Sequence, residues 1–169
     1  MCSSDLSAGH DCAAAQAFLV DQLVRLIHDH VVMDVYRASN RTTGERISIL
    51  AVGGYGRGEM APHSDVDIAF LTPDKQTAWC EQMIEAMLYF LWDLGLKVGQ
   101  SSRSLSDMVR MAKSDLTIRT ALLEGRYVWG DQALFDEAEV RFFAEVVAGT
   151  ERQFVTPRRR CRARRPSAG

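Results

Sequence analysis

The stretch that most constrains this chain is Ile47–Thr72, reading I-S-I-L-A-V-G-G-Y-G-R-G-E-M-A-P-H-S-D-V-D-I-A-F-L-T. Ile47–Val52 is a short apolar run of the kind that forms a buried strand. Gly53, Gly54, Gly56 and Gly58 then break the pattern, and Ser64-Asp65-Val66-Asp67 leads into a second apolar run, Ile68–Leu71. Gly56–Ala61 matches the dinucleotide pattern G-x-G-x-x-A. That fingerprint requires a full helix next, inside a βαβ unit of about 30 residues. Here Pro62 and an early second strand leave no room for the helix, so the dinucleotide reading is rejected.

The chemistry lies at the start of the second strand. Side chains alternate across a strand, so Asp65 and Asp67 share a face. Two carboxylates held that close repel unless a cation sits between them. Hard oxygen ligands at this spacing suit Mg²⁺, which keeps some waters and takes its remaining ligands from substrate phosphates. The glycines upstream offer backbone N–H groups with no side chain in the way, a phosphate cradle where a short helix begins. A glycine-rich turn or an Asp-x-Asp alone is commonly just a turn or a solvated strand end. Their adjacency, with apolar strands on both sides, argues for a metal–nucleotide site.

The string Gly53-Gly54-Tyr55-Gly56-Arg57-Gly58-Glu59-Met60-Ala61-Pro62 followed by Ser64-Asp65-Val66-Asp67 resembles the nucleotidyltransferase signature of the DNA polymerase beta superfamily. More narrowly, the chain is similar to the N-terminal domain of bacterial PII uridylyltransferase/uridylyl-removing enzymes. Phe18–Leu23, Leu91–Gly99 and Ser114–Thr117 also fit, and the likeness runs from about Ala14 to about Val155. The resemblance implies the nucleotidyltransferase fold and transfer of a nucleoside monophosphate from a triphosphate to a hydroxyl, with release of pyrophosphate. In this branch the donor is UTP and the acceptor a tyrosine of the signalling protein PII. On this reading Asp65 and Asp67 hold catalytic Mg²⁺, and Gly53 and Gly54 admit the phosphates. Ser64 adds a hydroxyl to the same phosphates, and Arg57 and Arg103 offset their charge. The wider superfamily often carries a third carboxylate on a later strand. Leu96–Arg103 has none, as in the uridylyltransferase branch, which leaves Asp93 and Asp107 as candidates for an unassigned general base. Two other readings stay open: a nucleotidyltransferase for a small molecule or for protein adenylylation, and a non-catalytic fragment that binds nucleotide.

A length of 169 residues suits one domain, and 47% apolar content suits a globular core. No apolar run is long enough to span a membrane, and the N-terminus lacks a signal-peptide pattern. Cys2, Cys12, Cys80 and Cys161 are scattered and read as free thiols of a reducing cytoplasm. The net charge of −2 hides an asymmetry: six arginines fall within Arg158–Arg165. Without them the 20 basic residues drop to 14 against 22 acidic, a net −8. No nucleic-acid partner is expected, and residues 157–169 are expected to be a basic disordered tail.

Along the chain, residues 1–13 are expected to be a loose end, and 14–156 an incomplete nucleotidyltransferase domain. Ala13–Tyr36 reads as a helix with an apolar stripe of Phe18, Leu19, Leu23, Leu26, Ile27, Val31 and Val35. His28 and His30, two apart, face different directions and make poor joint metal ligands. Lys75–Leu94 is a second long helix, and Gly95 suits the position after its end. Leu96–Arg103 reads as a third strand, and Ser104–Asp107 as a capping box opening further helix. Tyr127–Trp129 is a short strand, and Asp131–Val147 a last helix. The expected class is α/β (α+β), a small mixed sheet with packed helices.

Overall fold

The two apolar runs around the glycine turn become neighbouring antiparallel strands, β1 (Ser48–Ala51) and β2 (Val66–Thr72), with Ser48 opposite Leu71 and Ala51 opposite Ile68. The computed structural model describes residues 4–37, 42–61, 63–75 and 77–147. Between the two strands, Gly53–Gly56 winds into a single helical turn (α2). Because β1 and β2 run antiparallel, the glycine turn lies outside any βαβ unit, in keeping with the rejected dinucleotide reading.

Helix α3 (Ala78–Asp93) then crosses over to β3 (Val98–Ser104), which pairs parallel with β2. A parallel pair needs such a crossover, because a tight turn would reverse the chain. Strand β4 (Arg126–Gly130) pairs antiparallel with the other side of β1, with a register irregularity at Ile49/Leu50. The sheet order is β3-β2-β1-β4, a four-stranded mixed sheet.

Alternation along the strands sends side chains to two separate cores. On one face, Ile49, Ala51, Val66, Ile68 and Phe70 pack against α1 (Ser4–His30) and α3. On the other, Leu50 and Leu71 pack under α4 (Leu105–Ser114) and α6 (Gln132–Phe142). A shorter helix, α5 (Leu116–Leu123), lies between α4 and β4. Helices α1 and α6 each end in a π-helical turn, Val31–Val35 and Phe143–Val147.

The capping logic holds at the residue level. The Ser104 hydroxyl accepts from the Asp107 amide at the start of α4, and the Asp115 carboxylate accepts from Thr117 and Ile118 at the start of α5. Asp131 accepts from Leu134 and opens α6. His28 and His30 engage Asp29 and Asp34 respectively, each as a separate local pair.

Two expectations need correction. Helix α1 begins at Ser4, so much of the segment expected to be loose is helical. Its buried stripe is Ala17, Val20, Val24, Ile27 and Val31, while Phe18, Leu19, Leu26 and Val35 are exposed. The arginine-rich segment after Pro157 lies outside the described residues.

Candidate active site

The site forms where β1 ends and β2 begins. Val66, Ile68 and Phe70 point into the first core, so Asp67, Ala69 and Leu71 point to the opposite face. Leu71 and Ala69 are covered by α4 and α6, and Asp67, at the open end of the strand, is half-buried. Asp65 precedes the strand and is exposed. Just before it the chain reverses: Ser64 N–H donates to the Ala61 carbonyl, and His63 takes φ +65°.

The Asp67 carboxylate sits in a slot between two glycines. A Cβ on Gly53 would lie 2.9 Å from its Oδ2, and one on Gly99 only 2.4 Å from its Oδ1. Gly99 is the β3 residue in register with Asp67, so the strand pairing itself delivers it there. Gly53 also has φ +60°, a conformation that side chains resist. The Val52 N–H donates to the Asp67 carbonyl and ties the glycine turn to the strand.

Burial pushes the Asp67 carboxyl above its ordinary value, and the charge of Asp65 adds to the shift. No hydrogen bond from the described residues works in the other direction. An acid with a negative neighbour and no cation of its own suits a divalent metal that completes its shell with water and phosphate oxygens. The donor set therefore fits Mg²⁺. Among the described residues there is no cluster of three or more His, Cys, Asp or Glu arranged to hold a metal.

The glycine turn packs tightly. A Cβ on Gly56 would lie 2.8 Å from both the Ala51 and the Glu124 carbonyl oxygens. Amides of Gly56, Arg57, Gly58 and Glu59 are spent inside the turn, on Val52, Gly53, Tyr55 and Gly54. The first amides of a helical turn, here those of Gly53, Gly54 and Tyr55, have no carbonyl partner within the turn.

The other candidates are distributed around this centre. Ser64 is half-buried at the turn before Asp65. Arg57 is exposed and held by Glu59 (3.1 Å) and Glu124 (2.8 Å). Arg103 lies on the Asp67 face, in register with Leu71, and lines a cavity of about 110 Å³ with Ala69, Ser101, Met108 and Leu122. Its guanidinium donates to the Met111 sulfur at 2.8 Å.

Neither candidate base joins the carboxylate pair. The Asp107 carboxylate accepts from the Ser104 hydroxyl at the α4 cap and from Arg110. It also follows Ser104, five β3 residues beyond Gly99, roughly 16 Å along the strand. Asp93 ends α3, which covers the opposite face of the sheet.

Two contributions were not foreseen as site features. Gly99 had only its place in a family string to mark it. Tyr55 is fully buried, with its hydroxyl on Asp21, a contact that no local pattern signals.

A mixed four-stranded sheet, with a glycine turn joining antiparallel strands and an Asp-x-Asp opening the second, is the arrangement of a nucleotidyl-transfer domain. Residues 35–158 match the nucleotidyltransferase domain family, and the chain belongs to it. It is similar to the bifunctional uridylyltransferase/uridylyl-removing enzymes of Novosphingobium aromaticivorans and Erythrobacter litoralis, at 80% and 70% identity over 149 residues. Each match covers 88% of this chain, which spans 16% of the length of those relatives. A toxin–antitoxin structure solved with AMP-PNP is 20% identical, with a TM-score of 0.37, over 63% of this chain and 77% of that one. Among the described residues no helix is long and apolar enough to cross a membrane.

Proposed function

We propose that this domain transfers UMP from UTP to a tyrosine hydroxyl of PII in the cytoplasm, releasing pyrophosphate, with Mg²⁺ held by Asp65 and Asp67. The observation that carries the reading is Asp67, fixed between Gly53 and Gly99 beside Asp65 with no cationic partner among the described residues. The names of the relatives, bifunctional uridylyltransferase/uridylyl-removing enzyme, favour UTP as donor.

Each residue has a distinct task. Bound Mg²⁺ would supply the Lewis acidity that polarises the α-phosphate and the charge that stabilises the departing pyrophosphate. Asp67, already pressed into its slot, presents one fixed carboxylate, and exposed Asp65 supplies a second that can adjust. The Gly53 and Gly54 amides face the β- and γ-phosphates, and the Ser64 hydroxyl adds a donor there. Arg103 has no carboxylate partner among the described residues, but it stands four β3 residues, roughly 13 Å, beyond Gly99, so its side chain must leave Met111 and extend toward Asp67 to serve phosphate. Arg57 must first be released by Glu59 and Glu124 to do the same. Positioning and charge neutralisation of this kind account for most of what phosphoryl-type transfer asks of a protein.

The test is incubation of the chain with PII, Mg²⁺ and each of the four labelled triphosphates in turn. Label appearing on PII from UTP alone is the expected result. Label from ATP, or on a small molecule instead, would move the site to another nucleotidyl transfer. Triphosphate binding without transfer would leave only a nucleotide-binding domain.

A further inference from the structure

We infer that Asp21, Tyr55 and Arg126 form a latch that holds the glycine turn in its phosphate-facing conformation, so that Tyr55 is a positioning residue. The inference rests on the proposed role of that turn. Tyr55 lies in the middle of α2, yet its side chain is directed away from the site into the first core, where it is fully buried. Its hydroxyl donates to Asp21 Oδ1 at 2.7 Å.

The same carboxylate is gripped by Arg126 through both terminal nitrogens, at 2.8 Å to Oδ2 and 3.0 Å to Oδ1. Arg126 then reaches back: its Nε donates to the Gly56 carbonyl at 3.4 Å, and its guanidinium lies 5.6 Å from the Tyr55 ring. Helix α1, the turn and strand β4 thus meet at one carboxylate, although the three residues are 34 and 105 positions apart.

The physical need for a latch is specific to this turn. Four glycines among six residues give the segment Gly53–Gly58 much conformational entropy to lose. A single helical turn is too short to hold itself. A buried phenol bonded to a charge-assisted carboxylate holds the segment from below, leaving its upper amides open. Burial and the Asp21 bond both push the Tyr55 hydroxyl far above its ordinary value, so it remains a donor at every working pH.

The experiment is hydrogen exchange on the Gly56, Arg57, Gly58 and Glu59 amides, which report opening of the turn directly. It is run on the full chain and on Tyr55→Phe, which keeps the ring. Exchange at these four amides should quicken about five- to tenfold, with the α3 and α4 amides unchanged, as expected for losing one charge-assisted bond. Arg126→Lys keeps the charge but cannot fork, and it should give the same local pattern. Uniform acceleration across all helices would make Tyr55 merely a core residue, and no change at the turn would also overturn the latch. UTP affinity in Mg²⁺ is measured alongside and should fall in both variants. If the parent chain binds no triphosphate, the proposed function fails while the exchange result still decides the latch.

Discussion

At Asp67 the chain holds a carboxylate where neither neighbouring backbone position can carry a β-carbon, and this sets its response to mutation. Asp67→Asn keeps the shape and removes a charge that the metal needs. Transfer to PII should fall on the order of 10²-fold or more, as when a preorganised charge is lost. The melting temperature should stay level or rise, because the repulsion from Asp65 and the cost of burying a charge both disappear. A fall in melting temperature with unchanged Mg²⁺-dependent UTP binding would make the acid structural. Gly99→Ala tests the slot itself. Its Cβ would collide with Asp67 Oδ1, so the carboxylate must rotate away. Mn²⁺ affinity, read by electron paramagnetic resonance, should drop about tenfold, while the extra side chain in a strand costs the fold little. The expectation for the Asp pair and Gly53 rests on a local relation, two residues apart at a strand start after a turn. Gly99 reaches Asp67 only through strand register, 32 positions on. The Glu124 that holds Arg57 is likewise distant in sequence, so the charge expected for phosphate gave no sign of being already paired.

Among the elements, most were read correctly in kind and order. Helix α3 and the strand pair around the glycines appear close to their expected bounds, and α4 starts at its expected cap, but the helical run expected to reach Glu124 divides at Asp115 into α4 and α5. Helix α1 was misread because it carries two apolar faces, and periodicity alone does not say which one meets the sheet. The chosen face is built of Ala17, Val20, Val24, Ile27 and Val31, small and β-branched residues that let the helix approach closely. The start of α6 shows how an element end is secured from afar. Asp131 caps it, and Arg46 from the approach to β1 grips the same carboxylate at 2.8 and 2.9 Å. The Arg46 hydrogen bonds are the leading cause holding the Asp131 carboxyl below its ordinary value. A lowered folded value means stability that is present above the unfolded carboxyl range and lost as pH falls through the folded one. Arg46→Met should therefore cost about 1 kcal/mol at pH 7, a modest figure because both groups are partly exposed. The gap between parent and variant melting temperatures should shrink steadily below about pH 4, as the carboxyl protonates in both states. A gap independent of pH would assign the loss to packing of the arginine stem.

Taken as a whole, the molecule buries two cores and still leaves a long apolar stripe in solvent. Leu19 and Leu26 on α1, and Met33 on the π-helical turn that follows it, are 67%, 68% and 62% exposed. Seven residues is close to two α-helical turns, so Leu19 and Leu26 stack along one side of α1. That side lies away from Val20, Val24 and Ile27, which meet the sheet. The same helix therefore offers an internal control for what its two faces do. Val24 is fully buried, and Val24→Ala removes two methyl groups from a packed site. The cost should be about 2 kcal/mol once the cavity is included, lowering the melting temperature by roughly 4–8 °C. Leu19→Glu combined with Leu26→Lys changes surface that contributes little to the fold, so its effect should stay within about 0.5 kcal/mol per site. The pair also places opposite charges on the outer face of α1 where the parent presents apolar side chains, which should reduce self-association at high concentration. Light scattering across a concentration series, paired with thermal melting, measures both quantities on the same samples. If the double variant melted as low as Val24→Ala, the outer stripe would be part of the fold's own core, and the assignment of the α1 faces would be reversed.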